Sequence, residues 1–399
     1  MEIFSILAPI ITFPYLVRVL GKELYGWVIL AQATSFYATI LIDFGFRRVS
    51  AKYVAAVRES IEELSRVVST VMMLRVILWI VTFILYMSVV CLIPSYREHW
   101  VLFLFSYGLT LNALLLPDFY FQGIEQMRYI TIVNVFTRLV FIVATFILIT
   151  QPYQYIYVPL TWSVGYLLGG IYSLHIVYNK HDLRFLRPRL KDYRFHLKET
   201  TPIFLSDVML NIKDKLSYNF MGGILGMSDI VIYDIGTKMV NLLVKPTFIF
   251  SNAIFPSMSR NPDVRKTKRI LGGLFLLSIA MVSVIYLFLP QIVKFFINEE
   301  IDLMPLRIYL LVPIFTGLSY YIPTGVFVVF GRNKYVLYST IFSSCSYVIM
   351  LAIMWIGGWL TSITSFILVI VTSYIVEALF RLYLSTRIFI EHKDHNTDS

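Results

Sequence analysis

Long apolar segments, separated by short polar segments, follow one another along the chain. A helix needs about 20 mostly apolar residues to cross the roughly 30 Å of hydrocarbon in a bilayer, and segments of that length predict about twelve membrane-spanning helices. They are residues 3–20, 24–46, 67–94, 100–122, 129–150, 155–178, 201–222, 230–255, 270–289, 305–330, 335–356 and 362–388. The pattern therefore predicts an all-α integral membrane protein.

The seventh segment, residues 201–222, is the least certain span because four charged residues lie within it. They are Asp207, Lys213, Asp214 and Lys215. Lys and Arg concentrate in the cytoplasmic loops of membrane proteins. If this segment did not cross, the basic loops 179–198 and 257–269 would lie on opposite sides of the membrane, against that rule. We therefore count it as a span, which places both termini in the cytoplasm.

The start of the chain and a few charges near span ends complete this topology. Residues 3–20 have neither the basic start nor the small-residue cleavage site of a signal peptide, so we expect a first span there. Arg18 and Arg75 lie near span ends, where we expect them to extend to the polar interface. Asp118, at the inner end of the fourth span, is expected either to pair with Arg128 or to form part of a gate.

Composition agrees with a membrane protein and excludes several other classes. The chain has 399 residues, of which 58% are hydrophobic and 15% charged, whereas soluble domains are typically about 25% charged. The net charge of +10 comes largely from loops, so it indicates orientation by the positive-inside rule and not binding to nucleic acid. Cys91 and Cys345 lie within apolar segments and form no metal or disulfide pattern. No Walker sequence occurs, and we expect no cofactor, no metal site and no enzyme activity.

An internal repeat divides the chain into two similar parts. Leu20-Gly21 recurs as Leu225-Gly226, 205 residues later. Three residues around the end of the fourth span recur 206 residues later: they are Pro117, Phe121 and Tyr129, and Pro323, Phe327 and Tyr335. Such repeats are typical of transporters, so we predict two parallel six-helix halves around a central cavity, with the substrate path between them. The predicted parts are an N-terminal half 1–178, a basic cytoplasmic linker 179–200, a C-terminal half 201–388 and a polar cytoplasmic tail 389–399.

Polar residues form one stripe on each of two neighbouring predicted spans. On the seventh span the stripe consists of Asp207, Asn211, Asp214 and Tyr218, with Lys215 beside it, and on the eighth of Asp234, Lys238, Asn241 and Lys245. Lys213 points away from the first stripe, and Arg138 on the fifth span is the expected counterpart in the first half. Each charge in lipid costs about 2.5–3.5 kcal/mol, so these side chains must face water or partners.

Two interpretations of the stripes remain open. In the first, Arg138, Lys215, Lys238 and Lys245 line a hydrated cavity and bind anionic groups of a substrate, with Asn211, Asn241 and Tyr218 beside them. In the second, Asp and Lys four residues apart merely pair so that the helices can insert. Three carboxylates could couple transport to protons or Na⁺, or could serve structural pairing alone. They are Asp207, Asp214 and Asp234.

Three sequence motifs resemble one transporter family. They are Phe13-Pro14-Tyr15-Leu16-Val17-Arg18-Val19-Leu20-Gly21-Lys22-Glu23-Leu24-Tyr25-Gly26, Asp43-Phe44-Gly45-Phe46 followed by Ala51-Lys52, and Phe121-Gln122-Gly123-Ile124-Glu125. With the basic loop at mid-chain, they resemble the Wzx-type polysaccharide flippases of the multidrug/oligosaccharidyl-lipid/polysaccharide exporter superfamily. The likeness runs nearly end to end and is strongest in the first half, although the segment before the first span is very short for this family.

The resemblance implies a specific transport function. A Wzx-type flippase is a bacterial inner-membrane protein that moves an undecaprenyl-diphosphate-linked oligosaccharide, an O-antigen or capsule repeat unit, from the cytoplasmic to the periplasmic leaflet. Implied partners are this lipid-linked glycan, membrane lipids, and the O-antigen polymerase and chain-length regulator. There are three alternatives. A MATE-like drug or cation antiporter would favour acidic residues in the cavity. A lipid II flippase would be expected to have fourteen spans, and an O-antigen polymerase would have large periplasmic loops.

Overall fold

The computed structural model describes the backbone of residues 2–297 and 299–397 and the side chains of residues 10–211, 215–297 and 299–391. Within these ranges the secondary structure is entirely helical, which confirms the predicted fold class. The chain forms two compact units, unit 1 (Met1–Val208) and unit 2 (Met209–Ser399). The boundaries of the two predicted halves stay a prediction.

Unit 1 contains nine α-helices within the described residues and part of a tenth. They are α1 (Glu2–Asp43), α2 (Phe46–Ala56), α3 (Ile61–Leu92), α4 (Pro94–Glu98), α5 (Trp100–Tyr107), α6 (Leu111–Leu115), α7 (Asp118–Gly123), α8 (Met127–Leu148), α9 (Tyr157–His175) and the start of α10 (Leu190–Ile224). Shorter 3₁₀ or π turns occupy Gly108–Thr110, Pro152–Ile156 and Ile176–Lys180. Ser60 caps α3 by accepting a hydrogen bond from the Glu63 N–H, which satisfies one of the free donors at the helix start.

Unit 2 contains the rest of α10 and six further helices within the described residues. They are α11 (Met227–Arg260), α12 (Val264–Ile297), α13 (Met304–Tyr309), α14 (Val312–Ile322), α15 (Lys334–Ile356) and α16 (Ile363–Thr397). A π-helical segment, Pro323–Val328, continues α14.

Nine helical stretches of the described residues are long and apolar enough to cross a membrane. The first, Ile10–Ala56, contains residues 10–20 of the first predicted span and all of the second, because α1 consists of two helical arms that meet at Gly21. The predicted seventh and eighth spans lie in α10 and α11, which are helical over 35 and 34 residues. These two helices are not among the nine stretches, so the count of twelve spans stays a prediction.

The repeated glycines lie at equivalent places in the two units. Gly21 has φ 77° and ψ 163°, a backbone conformation that glycine adopts without the steric penalty of a Cβ. It separates the two arms of α1, and Gly226 likewise separates α10 from α11. The spacing of these glycines in the sequence therefore marks the joint between the first two helices of each repeat.

The fourth predicted span of each half ends in the same backbone turn. In unit 1 the Gln126 N–H donates to the Phe121 carbonyl at 2.8 Å, and in unit 2 the Arg332 N–H donates to the Phe327 carbonyl at 2.6 Å. Each is the long bond of a Schellman motif, which closes a helix through a residue in the left-handed region. That residue is Glu125 with φ 60° in unit 1, and a glycine with φ 74° in unit 2.

An aromatic pair stabilises this turn in both units. The rings of Phe121 and Tyr129 lie 5.2 Å apart, and those of Phe327 and Tyr335 lie 5.8 Å apart. Phe121 and Phe327 are both completely buried, each within the hydrophobic core of its own unit. The residues that indicated the repeat are therefore the residues that build the same joint twice.

Candidate functional site

Four of the predicted site residues meet where α10 and α11 pack in unit 2. The Tyr218 hydroxyl donates a hydrogen bond to Asp234 Oδ1 at 2.9 Å, and Lys238 forms an ion pair with the other oxygen of the same carboxylate. The Lys215 ammonium lies over the Tyr218 ring, 5.3 Å from its centroid, within the range of a cation–π interaction. We call Lys215, Tyr218, Asp234 and Lys238 the lysine–tyrosine cluster.

Two tyrosines that the sequence analysis missed, Tyr233 and Tyr309, pack against this cluster. The Tyr233 ring meets Tyr218 edge-on at 4.9 Å and stacks on Tyr309 at 5.4 Å. Tyr309 packs so closely against α11 that a Cβ at Gly236 would lie 2.5 Å from its ring. The glycine therefore permits the approach that holds Tyr233 in place. Tyr233 and Tyr218 are 1% and 2% exposed, so the aromatic base of the cluster is buried.

The other predicted residues of these two helices are less closely connected to the cluster. Asn241 is exposed on α11, and Lys245, one helical turn further on, is half-buried. Asn211 is half-buried on α10. The side chains of Lys213 and Asp214 lie outside the described residues. The ion pair of Lys238 with Asp234 shows that the pairing expected between residues four apart does form, and the role of the stripe in binding stays a prediction.

Arg138 and Asp207 lie in unit 1. Arg138 is half-buried on α8, and its Nη1 is buried without a hydrogen-bond partner among the described residues. A buried polar atom without a partner is unusual in a folded protein. Asp207, on α10, forms an ion pair with Arg48, whose Nη2 lies 2.9 Å from Asp207 Oδ1. The structure therefore gives Asp207 a partner outside the stripe that the sequence predicted.

Arg75 is completely buried, so the prediction that it extends to the membrane interface is wrong. Its Nη1 donates to the Leu116 carbonyl at 2.8 Å, and its Nη2 lies 3.0 Å from Asp43 Oδ1 and 3.2 Å from Asp118 Oδ1. These carboxylates and the carbonyl compensate the buried charge of Arg75. Removing one charged partner alone would leave the other charge unpaired.

Asp118 therefore has different partners from the one considered in the sequence. Its second oxygen lies 3.1 Å from Arg47 Nε, so two arginines share its carboxylate. Arg128 instead lies over the Tyr129 ring, 4.9 Å from its centroid. Asp118 begins α7 directly after Pro117, and the network fixes the chain where the fourth span is interrupted.

A second buried arginine, Arg381, was not singled out in the sequence. On α16 its Nη1 lies 2.8 Å from Glu377 Oε1 and also donates to the Ser319 carbonyl at 2.5 Å. In a regular helix this carbonyl would pair with the N–H of residue 323, which Pro323 lacks. Arg381 therefore satisfies the acceptor at the interruption of the tenth predicted span. The sequence does show Glu377 and Arg381 four residues apart within an apolar segment, and that spacing could have indicated the pair.

The predicted linker is attached to α3 of unit 1. Residues 182–189 have no regular secondary structure. The Arg184 and Leu186 N–H groups donate to the hydroxyls of Ser65 and Ser69, each at 3.0 Å. Two serines one helical turn apart thus hold the start of the linker, and its predicted contact with anionic lipid stays a prediction.

The surroundings of His181 at the start of the linker favour its neutral form. Its Nδ1 lies 2.8 Å from the Tyr120 hydroxyl, and burial lowers the pKa of the imidazole, with the positive charges of Lys180 and Arg128 acting in the same direction. Protonation would introduce a third positive charge beside two others. This end of the linker is therefore most stable when the imidazole is uncharged.

The sequence of residues 1–262 matches the family described as "Polysaccharide biosynthesis protein". The chain belongs to the polysaccharide biosynthesis protein family. This confirms the predicted relationship to polysaccharide exporters.

Curated relatives are similar over part of their length. The chain is 25% identical over 265 residues to a "Putative O-antigen transporter" of Escherichia coli strain K12, a match covering 66% of this chain and 64% of the relative. It is 26% identical over 204 residues to a protein of the same description from Shigella dysenteriae, covering 50% of each. The matches thus span less than two thirds of these relatives.

Solved structures show that this member of the polysaccharide biosynthesis family has an exporter fold. An inward-facing MATE family transporter of the MOP superfamily superposes with a TM-score of 0.77 at 16% identity, covering 97% of this chain and 96% of the other. The lipid II flippase MurJ superposes with a TM-score of 0.76 at 17% identity, covering 96% and 86%. At these identities the likeness establishes the fold of a multi-pass membrane transporter and not its substrate.

Proposed function

We propose that the protein is a flippase that translocates an undecaprenyl-diphosphate-linked oligosaccharide, an O-antigen or capsule repeat unit, across the bacterial inner membrane. The direction is from the cytoplasmic to the periplasmic leaflet. Membership of the polysaccharide biosynthesis family and the O-antigen transporters among the relatives support the glycan part of this proposal. The exporter fold, shared with a lipid II flippase, supports translocation of a lipid-linked substrate.

The lysine–tyrosine cluster is the observation that carries the proposal. It places two ammonium groups beside a buried tyrosine base on two helices of an exporter fold. Ammonium groups suit phosphate oxygens, and the buried tyrosines hold these two in place. The Lys238 side chain is 31% exposed although it is paired with Asp234, so part of the side chain is accessible to a substrate. Arg138, whose Nη1 has no partner among the described residues, is a further donor for an anion.

The fold alone does not exclude a drug or cation antiporter, because the MATE and MurJ structures superpose almost equally well. The charges favour the flippase. A cavity for cationic drugs would be expected to present unpaired carboxylates, whereas Asp234 is occupied by Lys238 and Tyr218. Asp207 is likewise paired with Arg48. The described acids of the stripes therefore offer little attraction to a cationic substrate.

Substitutions of the ion pair test the proposal against simple structural pairing. Lys238→Ala removes the cation, and the double variant Asp234→Asn with Lys238→Gln removes both charges while keeping hydrogen-bonding groups. If the pair only allows the helices to insert, the neutral double variant should work normally, because replacing both members of a buried pair is often tolerated. The proposal predicts that both variants lose surface polysaccharide at unchanged protein level.

The readout also distinguishes the flippase from a polymerase. A flippase defect leaves unextended lipid-linked units on the cytoplasmic leaflet, whereas a polymerase defect leaves them on the outer leaflet. Lys294→Ala is the matched control, because Lys294 is an exposed lysine near the end of α12, outside the cluster. Normal polysaccharide in the double variant would refute the cationic role of Lys238.

A further inference from the structure

Unit 2 contains a cavity of about 300 Å³ that is separate from the lysine–tyrosine cluster. Its lining combines a partly exposed rim with a buried floor. The rim includes Phe248, Asn252 and Tyr320, and the floor includes Ser319, Thr340, Ser343, Ser344, Glu377 and Arg381. All of these residues come from α11, α14, α15 and α16, so one unit builds the whole site.

The floor is a hydrogen-bonded array around one buried ion pair. Glu377 and Arg381 are 8% and 6% exposed and lie 2.8 Å apart. The Ser343 hydroxyl donates to the second oxygen of Glu377 at 2.5 Å, and Arg381 Nε donates to the Ser339 hydroxyl at 3.2 Å. The Ser319 Oγ is buried on the cavity wall and has no hydrogen-bond partner among the described residues.

Helix insertion alone does not require so polar a floor. A well-packed apolar pair is often as stable as a buried ion pair, and ionisable residues within membrane helices commonly serve function. Arg381 has a structural task at the Pro323 interruption, but that task involves neither the hydroxyls of α15 nor Ser319 Oγ. The unpartnered Ser319 Oγ therefore points to a ligand that supplies a hydrogen bond from the cavity.

The lining indicates the chemistry of that ligand. Glu377 and Arg381 cancel in charge, so the site does not select an anion such as a diphosphate. Hydroxyl, carboxylate and guanidinium groups together suit a ligand whose groups both donate and accept hydrogen bonds. Phe248 and Tyr320 offer apolar ring faces at the rim, with centroids 5.8 Å apart. The volume lies at the lower end of the range for small-molecule sites, about 300–1,000 Å³.

We propose that this cavity binds one saccharide residue of the translocated glycan. A pyranose has hydroxyls that donate and accept on its edge and C–H groups on its face, which matches the polar floor and the aromatic rim. The proposal rests on the flippase function, and it adds a sugar-reading site in unit 2 that is distinct from the cationic cluster expected to meet the diphosphate.

Ligand-detected NMR tests the site directly. Purified full-length protein in lipid nanodiscs, free of sugar-based detergent, is titrated with methyl glycosides of glucose, galactose, mannose, rhamnose and N-acetylglucosamine, and saturation transfer is measured. At least one glycoside should bind. Ser343→Ala and Tyr320→Ala should weaken that binding about fivefold or more, since each removes a hydrogen bond or a ring face from the lining.

Ser385→Ala is the matched control for Ser343→Ala. Ser385 is equally buried on α16 and donates to the Arg381 carbonyl, but it does not line the cavity, so glycoside binding should be unchanged. The proposal is overturned if no glycoside binds the unmodified protein. It is also overturned if Ser343→Ala and Tyr320→Ala bind the glycoside as tightly as Ser385→Ala does. Because the assay measures binding without transport, a negative result leaves the flippase proposal standing, and normal polysaccharide in the Lys238 variants leaves the saccharide site standing.

Discussion

The interruptions of the fourth and tenth predicted spans have a proline and a buried arginine in common, but their backbones and their charges differ between the two units. Each interruption contains a proline, and each is fixed by a buried arginine that donates to a main-chain carbonyl. Arg75 comes from α3 and is enclosed by Asp43 and Asp118. Arg381 comes from α16 and has Glu377 and a polar cavity beside it. The two units thus share the proline and the buried arginine, whereas the chain leaves the helix at Pro117 (φ −81°, ψ 59°) and stays helical at Pro323 (φ −57°, ψ −45°).

The largest effect is expected from removing the two arginines. Arg75→Met removes the partner of the half-buried Asp43, one of the two arginines that share Asp118, and the donor to the Leu116 carbonyl, and should lower the free energy of unfolding by about 3–5 kcal/mol. Arg381→Met should cost less, because Glu377 keeps the Ser343 hydroxyl and the cavity can admit water. Unfolding in an SDS titration measures both, with Arg97→Met on an exposed residue of α4 as control. An equal loss in both variants would contradict the difference between the units.

A smaller effect should come from the close packing of Gly123 at the turn of unit 1. A Cβ at Gly123 would lie 2.4 Å from Val54 Cγ1 and 2.8 Å from the Ala51 carbonyl oxygen, so Gly123→Ala should cost about 1–3 kcal/mol. Unit 2 has Val329 at the equivalent position, 206 residues later.

Gly272→Ala on α12 is the control for Gly123→Ala, because nothing lies within 4 Å of its added Cβ. It should unfold at the same SDS fraction as the unmodified protein or a higher one. If Gly123→Ala were equally harmless, the contact between α2 and α7 would not be as tight as the distances indicate.

The smallest effect concerns the left-handed residue of the repeated turn. Gly331→Ala should cost about 1–2 kcal/mol for the backbone conformation alone, because no atom lies within 4 Å of the added Cβ. Glu125→Gly at the equivalent position should change stability by less than about 0.5 kcal/mol, since it loses only an exposed ion pair with Arg58. Comparing both variants in the same titration checks the order, and a larger loss for Glu125→Gly would contradict it.

Local features of the fold could be predicted from the sequence because they depend on neighbouring residues. Apolar length predicted the helices, and the residues whose spacing predicted the repeat include Gly21 and Gly226, which lie at helix joints in both units. The pairing of Asp234 with Lys238 followed from their separation of one helical turn. The same reasoning could have found Glu377 and Arg381, which have the same separation within an apolar segment.

Contacts between distant segments could not be predicted in this way. Arg75 lies 32 residues from Asp43 and 43 from Asp118, and hydrophobic periodicity does not specify which faces of separate helices meet. The same limit applies to Tyr309, which comes to Tyr233 from 76 residues away. The candidate sites therefore became visible only when the helices were assembled.

The Schellman turn that ends the fourth predicted span of each half is built almost entirely from main-chain atoms. The segment 121–126 in unit 1 and the segment 327–332 in unit 2 have only their first residue, a phenylalanine, in common. A turn closed by main-chain bonds and one buried phenylalanine makes few demands on the side chains in between, so different residues fit the same backbone path. Two segments can thus differ at nearly every position while both end a helix with the same main-chain turn.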